Sequence, residues 1–286
     1  MASSLTSPAL VFSAERAIIA AHPAIAKARV FATDFSADAA QPGSTMKVPV
    51  FTPGTASQFD ASTNNYATTD GSVVYASVTF DNHPKHTFSF ADTDFNLVNG
   101  RQFWDRAGEA SGIAVGRAII NAVTGLMGNI EQTATLTVTK AGIAGLRATA
   151  DANGFEAGRA VLMLDPTNFA TLLSLLDYYT YGDREAIKDG VVPGLYGFKA
   201  VIENNALPSG TKGALVAEDA LVIAGRRIEV QSPRVYQEVG YTTDEESGLT
   251  LGIRRGADWA TGMNSATVEA LFGAAFVQPS KAVKLT

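Results

Sequence analysis

Two adjacent segments constrain this chain more than any other: a strand-period ribbon from Ser72 to Asp92 and a glycine-striped helix signal from Gly100 to about Leu126. Neither is expected to bury its apolar face inside a compact monomer. In Ser72 to Phe80, Val74, Ala76, Val78 and Phe80 alternate with Val73, Tyr75, Ser77 and Thr79, which is the period of a strand with apolar residues on both faces. Asp81-Asn82-His83-Pro84-Lys85-His86 has turn chemistry, and Thr87 to Ala91 resumes alternation with Phe88 and Phe90 on one side. The pattern predicts a two-stranded ribbon. Nine extended residues reach roughly 30 Å, and an isolated two-stranded hairpin is marginal in water. Another surface must cover it.

Helical throughout, Gly100 to Leu126 would be about 40 Å long, a strut well beyond the mean helix of about 11 to 12 residues. Val115, Ile119, Ala122 and Leu126 form one apolar stripe, and Phe103, Ala107, Ala110 and Ala114 form a second. Gly108, Gly112 and Gly116 add a ladder of period four. Arg101, Asp105, Arg106, Glu109 and Arg117 argue against a transmembrane role, so the ladder predicts close backbone packing against a sheet. Each interior glycine costs about 0.8 to 1 kcal/mol relative to alanine, which demands compensation from packing.

At 286 residues the chain has room for one large domain or two interleaved ones. Its 46% hydrophobic and 17% charged content is apolar and charge-poor beside the roughly 25% charge of an average domain, which assigns some of the apolar surface to contacts between molecules. A net charge of -6 disfavours a protein that grips nucleic acid through a basic face. The absence of cysteine excludes disulfides, thiolate metal sites and a cysteine nucleophile. Met1-Ala2-Ser3-Ser4 lacks a basic leader and Glu15-Arg16 interrupts the following apolar run, so no secretion signal is read.

Residues 1–40 predict an amphipathic helix, Pro8 to Ile19, interrupted near Pro23 and forming an arm. Residues 41–98 form a loop-rich excursion that holds Lys47 to Phe51, a polar insert from Thr52 to Gly71, and the ribbon. Downstream, Lys140 to Ala152 reads as a helix stopped by Gly154, Arg159 to Leu164 as a buried strand, and Asp165-Pro166-Thr167 as the start of a helix running through Leu176. Further strands are expected at Phe198 to Glu203, Ala214 to Ala217, Leu221 to Ala224, Ile228 to Ser232, Leu249 to Arg254, Thr267 to Phe272 and Ala282 to Leu285.

The chemistry-bearing residues point to no reaction. His83 and His86 beside Asp81 have metal-compatible donors, but i, i+3 spacing across a proline turn fixes no ligand geometry, and the turn-tip reading prevails. No serine elbow and no phosphate-loop motif occurs, and Gly194-Leu195-Tyr196-Gly197-Phe198-Lys199 reads as a turn into a strand. Asp183 with Glu185 leaves a carboxylate-pair glycosidase open, whereas the Asp244-Glu245-Glu246 run lacks apolar walls and suits inter-subunit contact or solubility. A covalent lysine–asparagine link from Lys47 or Lys85 would need a buried asparagine and a nearby glutamate, and the sequence identifies neither. No catalytic, cofactor-binding or metal residue is assigned. The candidate inter-subunit contacts are Val74, Tyr75, Val78, Phe80, His83, Lys85, Phe88, Phe90, Asp244, Glu245 and Glu246.

The order of arm, β excursion, long helix, mixed α/β half and strand-rich return resembles the major capsid proteins of tailed bacteriophages, the Hong Kong 97-type fold. The local likeness is strongest from Gly158 through Asp165-Pro166-Thr167 to Leu173, and it continues through Gly194 to Val201 and Gly213 to Val222. These are packing and turn signatures rather than catalytic ones. The resemblance implies an α+β chain with an N-terminal arm (1–43), an extended loop over an adjacent subunit (44–97), a peripheral domain with its spine helix (98–154), an axial domain (155–240), a peripheral-domain hairpin (241–270) and a return strand (271–286).

It also implies a non-enzymatic protein that assembles with copies of itself, through pentamers and hexamers, into an icosahedral shell in the host cytoplasm and resides in the virion. Portal is an expected partner. So is a separate scaffolding protein, because only about 43 residues precede the loop. Packaged DNA would be enclosed and not specifically bound, and no membrane is involved. The alternatives are an encapsulin-like compartment shell, which genome neighbourhood would separate, and an α/β enzyme, which needs a pocket of convergent polar groups.

Overall fold

The computed structural model describes residues 8–34, 43–52, 62, 71–91, 100–155, 157–175, 191–228, 238–243, 250–258 and 261–286. The N-terminal helix α1 (Pro8–Phe31) runs unbroken through Pro23. Proline at that position removes one helical hydrogen bond at a cost of about 3 kcal/mol. Burial offsets it: Ala14, Ala17, Ala21, Ile25, Ala28 and Phe31 all enter the main core. From Ala14 to Phe31 this helix therefore contributes to the subunit's own core.

Their partner is the long helix α2 (Gly100–Gly125), which ends in a short 3-10 turn. Gly108 sits on the backbone of Ser13, Gly112 on that of Ala17 and Gly116 on that of Ala21. Because both sets of numbers rise together, the helices run parallel. The glycine ladder packs on a helix and not on a sheet, a correction with a plain cause: a four-residue repeat of small residues on each helix lets the backbones meet. Gln102–Asn129 is long and apolar enough by composition to cross a membrane. Val115, Ile119, Val123 and Met127 are instead buried in the core.

The first sheet has the order β1-β10-β13-β12-β11, with β4 also paired to β13. Its strands are β1 (Thr33–Asp34), β4 (Lys85–Ala91), β10 (Leu221–Arg226), β11 (Glu238–Thr243), β12 (Thr250–Asp258) and β13 (Met263–Phe276). The long β13 organises it, pairing with β10 over Leu271 to Phe276 and with β12 and β4 over its first half.

The second sheet, of order β5-β14-β9-β6-β8-β7, comprises β5 (Thr133–Ala134), β6 (Ala160–Leu164), β7 (Val191–Pro193), β8 (Ala200–Glu203), β9 (Gly213–Ala217) and β14 (Ala282–Leu285). Every residue of β6 and β9 is buried, as an apolar run covered on both faces requires. Helix α3 (Lys140–Ala152) packs near this sheet, and α4 (Pro166–Leu175) lies in the crossover between the parallel strands β6 and β8. Asp165 caps α4 as the sequence predicts, its carboxylate accepting from the Asn168 backbone N–H at 2.6 Å. One apolar cluster runs from α1 and α2 through the second sheet to Leu251, Val268 and Phe272 of the first.

The ribbon is paired differently from the sequence expectation. Strand β3 (Ser72–Thr79) pairs antiparallel with β2 (Thr45–Thr52), which precedes the polar insert, and β4 joins the first sheet. Asp81 to Pro84 is not a reverse turn. It runs along β13, with Asn82 bridging Phe272 and the Ala270 N–H donating to the Pro84 carbonyl at 3.0 Å. Two long-range backbone ladders outweigh the local turn chemistry. The helix end at Leu176, the pair Asp183 and Glu185, and the strand beyond Ile228 lie outside the described residues.

Candidate assembly surface

The paired strands β2 and β3 are buried at one end and exposed at the other. At the root, Val48, Val78 and Phe80 pack with Val222, Ala224, Ile228 and Leu271 in a second apolar cluster. Gly273 of β13 leaves no space for a side chain beneath Thr79 and Val78, which seats the hairpin directly on the sheet. The Arg226 guanidinium lies 4.7 Å from the centroid of the Phe80 ring, closing the cluster on its outer side.

Toward the tip this support ends. Phe51 is 70% exposed, Tyr75 63%, Val74 59% and Val73 46%. The register pairs Phe51 with Val73 and Pro49 with Tyr75, so Phe51, Val73 and Tyr75 share one face. Val74 lies on the other face, in line with Val48 and Val78. Pro49 donates no hydrogen bond from an already isolated ladder.

The proposed contact residues thus separate. Val78, Phe80 and Phe90 are buried inside the subunit, so their side chains are not available to a neighbour. Phe90 packs edge-on against Trp104, with ring centroids 5.3 Å apart, beside Ala266. Val74, Tyr75, His83 and Lys85 are exposed, and Phe88 is half-buried. Asp244, Glu245 and Glu246 lie outside the described residues.

His83 and His86 diverge. His83 Nε2 lies 2.9 Å from Glu269 Oε2 on the hairpin side of the sheet. His86 Nδ1 lies 3.2 Å from Ser111 Oγ on the helix side. A strand sends residues three apart to opposite faces, which is why the spacing builds no metal site. Among the described residues no group of three metal-ligating side chains converges.

Glu269 was not legible in the sequence as a functional residue. It is 3% exposed and also accepts from Arg254 Nε. Gly252, its neighbour in register, leaves room for the carboxylate. Tyr241 lies across Gly252 on β11 and donates its hydroxyl proton to the Ile228 carbonyl at 2.7 Å. Burial pushes the Tyr241 phenol above its ordinary value, with Arg254 and Arg227 opposing the rise and Glu269 adding to it. This row ties β11, β12, β13 and the segment before β4 together. Its strand members are neighbours in sequence, and only His83 is brought to Glu269 from far along the chain.

Two cavities border the long helix, of about 220 Å³ beside Pro23, Phe31 and Ile202 and about 460 Å³ beside Phe88, Phe103 and Arg106. The first also has Lys27 and Glu203 in its lining, and the second Gln102 and Ala110. Among the described residues, β2 and β3 are anchored at one end and carry exposed apolar side chains at the other.

The chain belongs to the phage capsid protein family, whose model matches residues 82–285. It is a capsid shell protein with the Hong Kong 97-type fold. No curated protein matches the sequence. Similar solved structures include a chain of Gordonia phage Cozz, 14% identical with a TM-score of 0.54 over 92% of this chain and 85% of that one. A chain in the capsid structure of the cyanophage P-SCSP1u is 16% identical, with a TM-score of 0.51 over 89% and 85% of the two chains. The virus-like particle from Pyrococcus furiosus gives 14% identity and a TM-score of 0.53 over 95% and 98%.

Proposed function

We propose that this protein is a major capsid subunit that assembles through pentamers and hexamers into an icosahedral shell enclosing a phage double-stranded DNA genome. The observation that carries the reading is the hairpin: Val48, Val78 and Phe80 anchor it while Phe51, Val73 and Tyr75 stand in solvent. Full burial of one such side chain is worth about 1.5 to 3 kcal/mol, and a contact between copies supplies it. A contact that repeats head to tail closes into rings and shells under symmetry. Copies of the chain are the principal partner, with portal and a separate scaffolding protein completing assembly in the host cytoplasm. An acidic subunit, of net charge -6, suits a container that does not hold its DNA tightly. The Lys85 ammonium and the Asp244 to Glu246 run remain candidate rim contacts.

The likeness to the Pyrococcus furiosus particle supports a second reading, a compartment shell around a protein cargo. Purification of particles from the native host, nuclease treatment and analysis of the contents separate the two. Protected double-stranded DNA of uniform length is expected, and particles holding one enzyme and no DNA would reverse the assignment.

A further inference from the structure

The turn that leads into β8 joins a strained backbone to an uncompensated charge cluster, and the assembly reading uses neither. Tyr196 is the one non-glycine residue with positive φ among the described residues, at 51°, and Gly194 and Gly197 flank it at 67° and 82°. That conformation is strained for a residue with a Cβ, and such strain gathers at functional sites. Tyr196 is held in it by packing against the main core.

Arg147 of α3 lies over this turn. A Cβ at Gly197 would stand 2.9 Å from Arg147 Nη1 and 3.0 Å from its Cζ, so the guanidinium rests against the bare face of that glycine. Asp151 is one helical turn further along α3, at ion-pair spacing, yet Arg147 makes no ion pair with it. Gly158 borders the Gly197 carbonyl, and the Lys199 N–H donates to the Ala160 carbonyl at 2.9 Å. Arg159, between Gly158 and Ala160, is thereby brought to the same end of the second sheet.

The carboxylates that follow β9 at this end are already engaged. Glu218, whose N–H donates to the Arg159 carbonyl, pairs with Lys199 at 3.0 Å, and Asp219 pairs with Lys281 at 2.7 Å. Arg147 and Arg159 are exposed, and their guanidinium groups have no hydrogen-bond or ion-pair partner among the described residues. Asp151, the one carboxylate of α3, offsets them in part. Two unpaired cations at one rigid turn are a local exception in a chain of net charge -6.

We propose that Arg147 and Arg159 bind phosphate over the Gly194–Lys199 turn. Two guanidinium groups match a phosphate dianion or successive phosphodiesters, whereas one guanidinium fork satisfies a carboxylate. Free phosphate and the backbone of enclosed DNA offer the same chemistry. The second source rests on the assembly reading, and the site itself does not.

Calorimetric titration of the full chain with inorganic phosphate, and separately with a short DNA duplex at several salt concentrations, tests the site. Arg147→Gln combined with Arg159→Gln is expected to weaken binding about tenfold or more. Arg147→Lys keeps the charge and loses the fork, so it too should weaken binding, whereas Arg16→Gln, an equal change of charge on α1, should not. Duplex binding whose salt slope falls by about 2 in the double variant names the DNA backbone as the source. Phosphate binding without duplex binding names a small phosphate. Binding of neither probe, or binding that the double variant leaves unaltered, would overturn the proposal. Electron microscopy of the same samples reports shell formation separately, so a failure to assemble is not mistaken for a failure of the site.

Discussion

Gly112 of α2 rests on the backbone of Ala17 in α1, with no space for a Cβ between them. Gly112→Ala must push two parallel helices apart along a seam that continues through Gly108 and Gly116, and overpacking of this kind costs about 1 to 3 kcal/mol or more. Gly145, in the middle of α3, faces open space. Gly145→Ala should stabilise the protein by about 0.5 to 1 kcal/mol through helix propensity alone. Urea denaturation of both variants should give shifts of opposite sign.

Glu269 supports a second prediction. Glu269→Gln keeps the shape and removes the charge that the largely buried Arg254 faces. Breaking such a pair costs about 3 to 5 kcal/mol. His83 is one-third exposed, so His83→Ala should cost about 1 kcal/mol or less. If both variants melted at the same temperature, Arg254 would not be the partner that matters.

Tyr241 predicts a pH dependence. Burial raises its phenol, so the folded state retains the proton above the pH at which an unfolded chain releases it. Stability from this group is complete below about pH 10 and is lost as the pH rises through the higher folded-state value. Urea midpoints taken from pH 9 upward should fall less steeply in Tyr241→Phe than in the natural chain. Equal slopes would show that Tyr241 does not titrate against the fold.

Root and tip of the hairpin should respond in opposite ways. Phe80→Ala removes a fully buried ring and should cost about 3 to 5 kcal/mol of folding stability. Phe51→Ser with Tyr75→Ser alters side chains that are 70% and 63% exposed, and should leave unfolding unchanged while weakening assembly. Denaturation and sedimentation of the same samples separate these effects.

Elements set by local chemistry were legible in the sequence. Asp165-Pro166 starts α4 through a cap, and Gly154, with φ +75, follows the end of α3. The apolar runs Ala160–Leu164 and Gly213–Ala217 are strands because both faces are covered. What was not legible depends on partners far along the chain. Strand β3 pairs with β2 and not β4, because the whole of β4 is taken up in a ladder with β13. Pro23 lies within a helix because the Ala and Gly seam repays the lost hydrogen bond. The apolar hairpin was visible from its alternation. Which of its residues are anchors and which are bare was not, since alternation records faces and not where support along a strand ends.

The central claim is that the tip finds its cover on another copy, and the mass of the freshly expressed chain in solution tests it most directly. Light scattering with negative-stain microscopy should show rings of five and six or closed shells, which shrink to small species when Phe51 and Tyr75 become serine. A monodisperse 29.9 kDa monomer whose hairpin tip is protected in hydrogen exchange would contradict it.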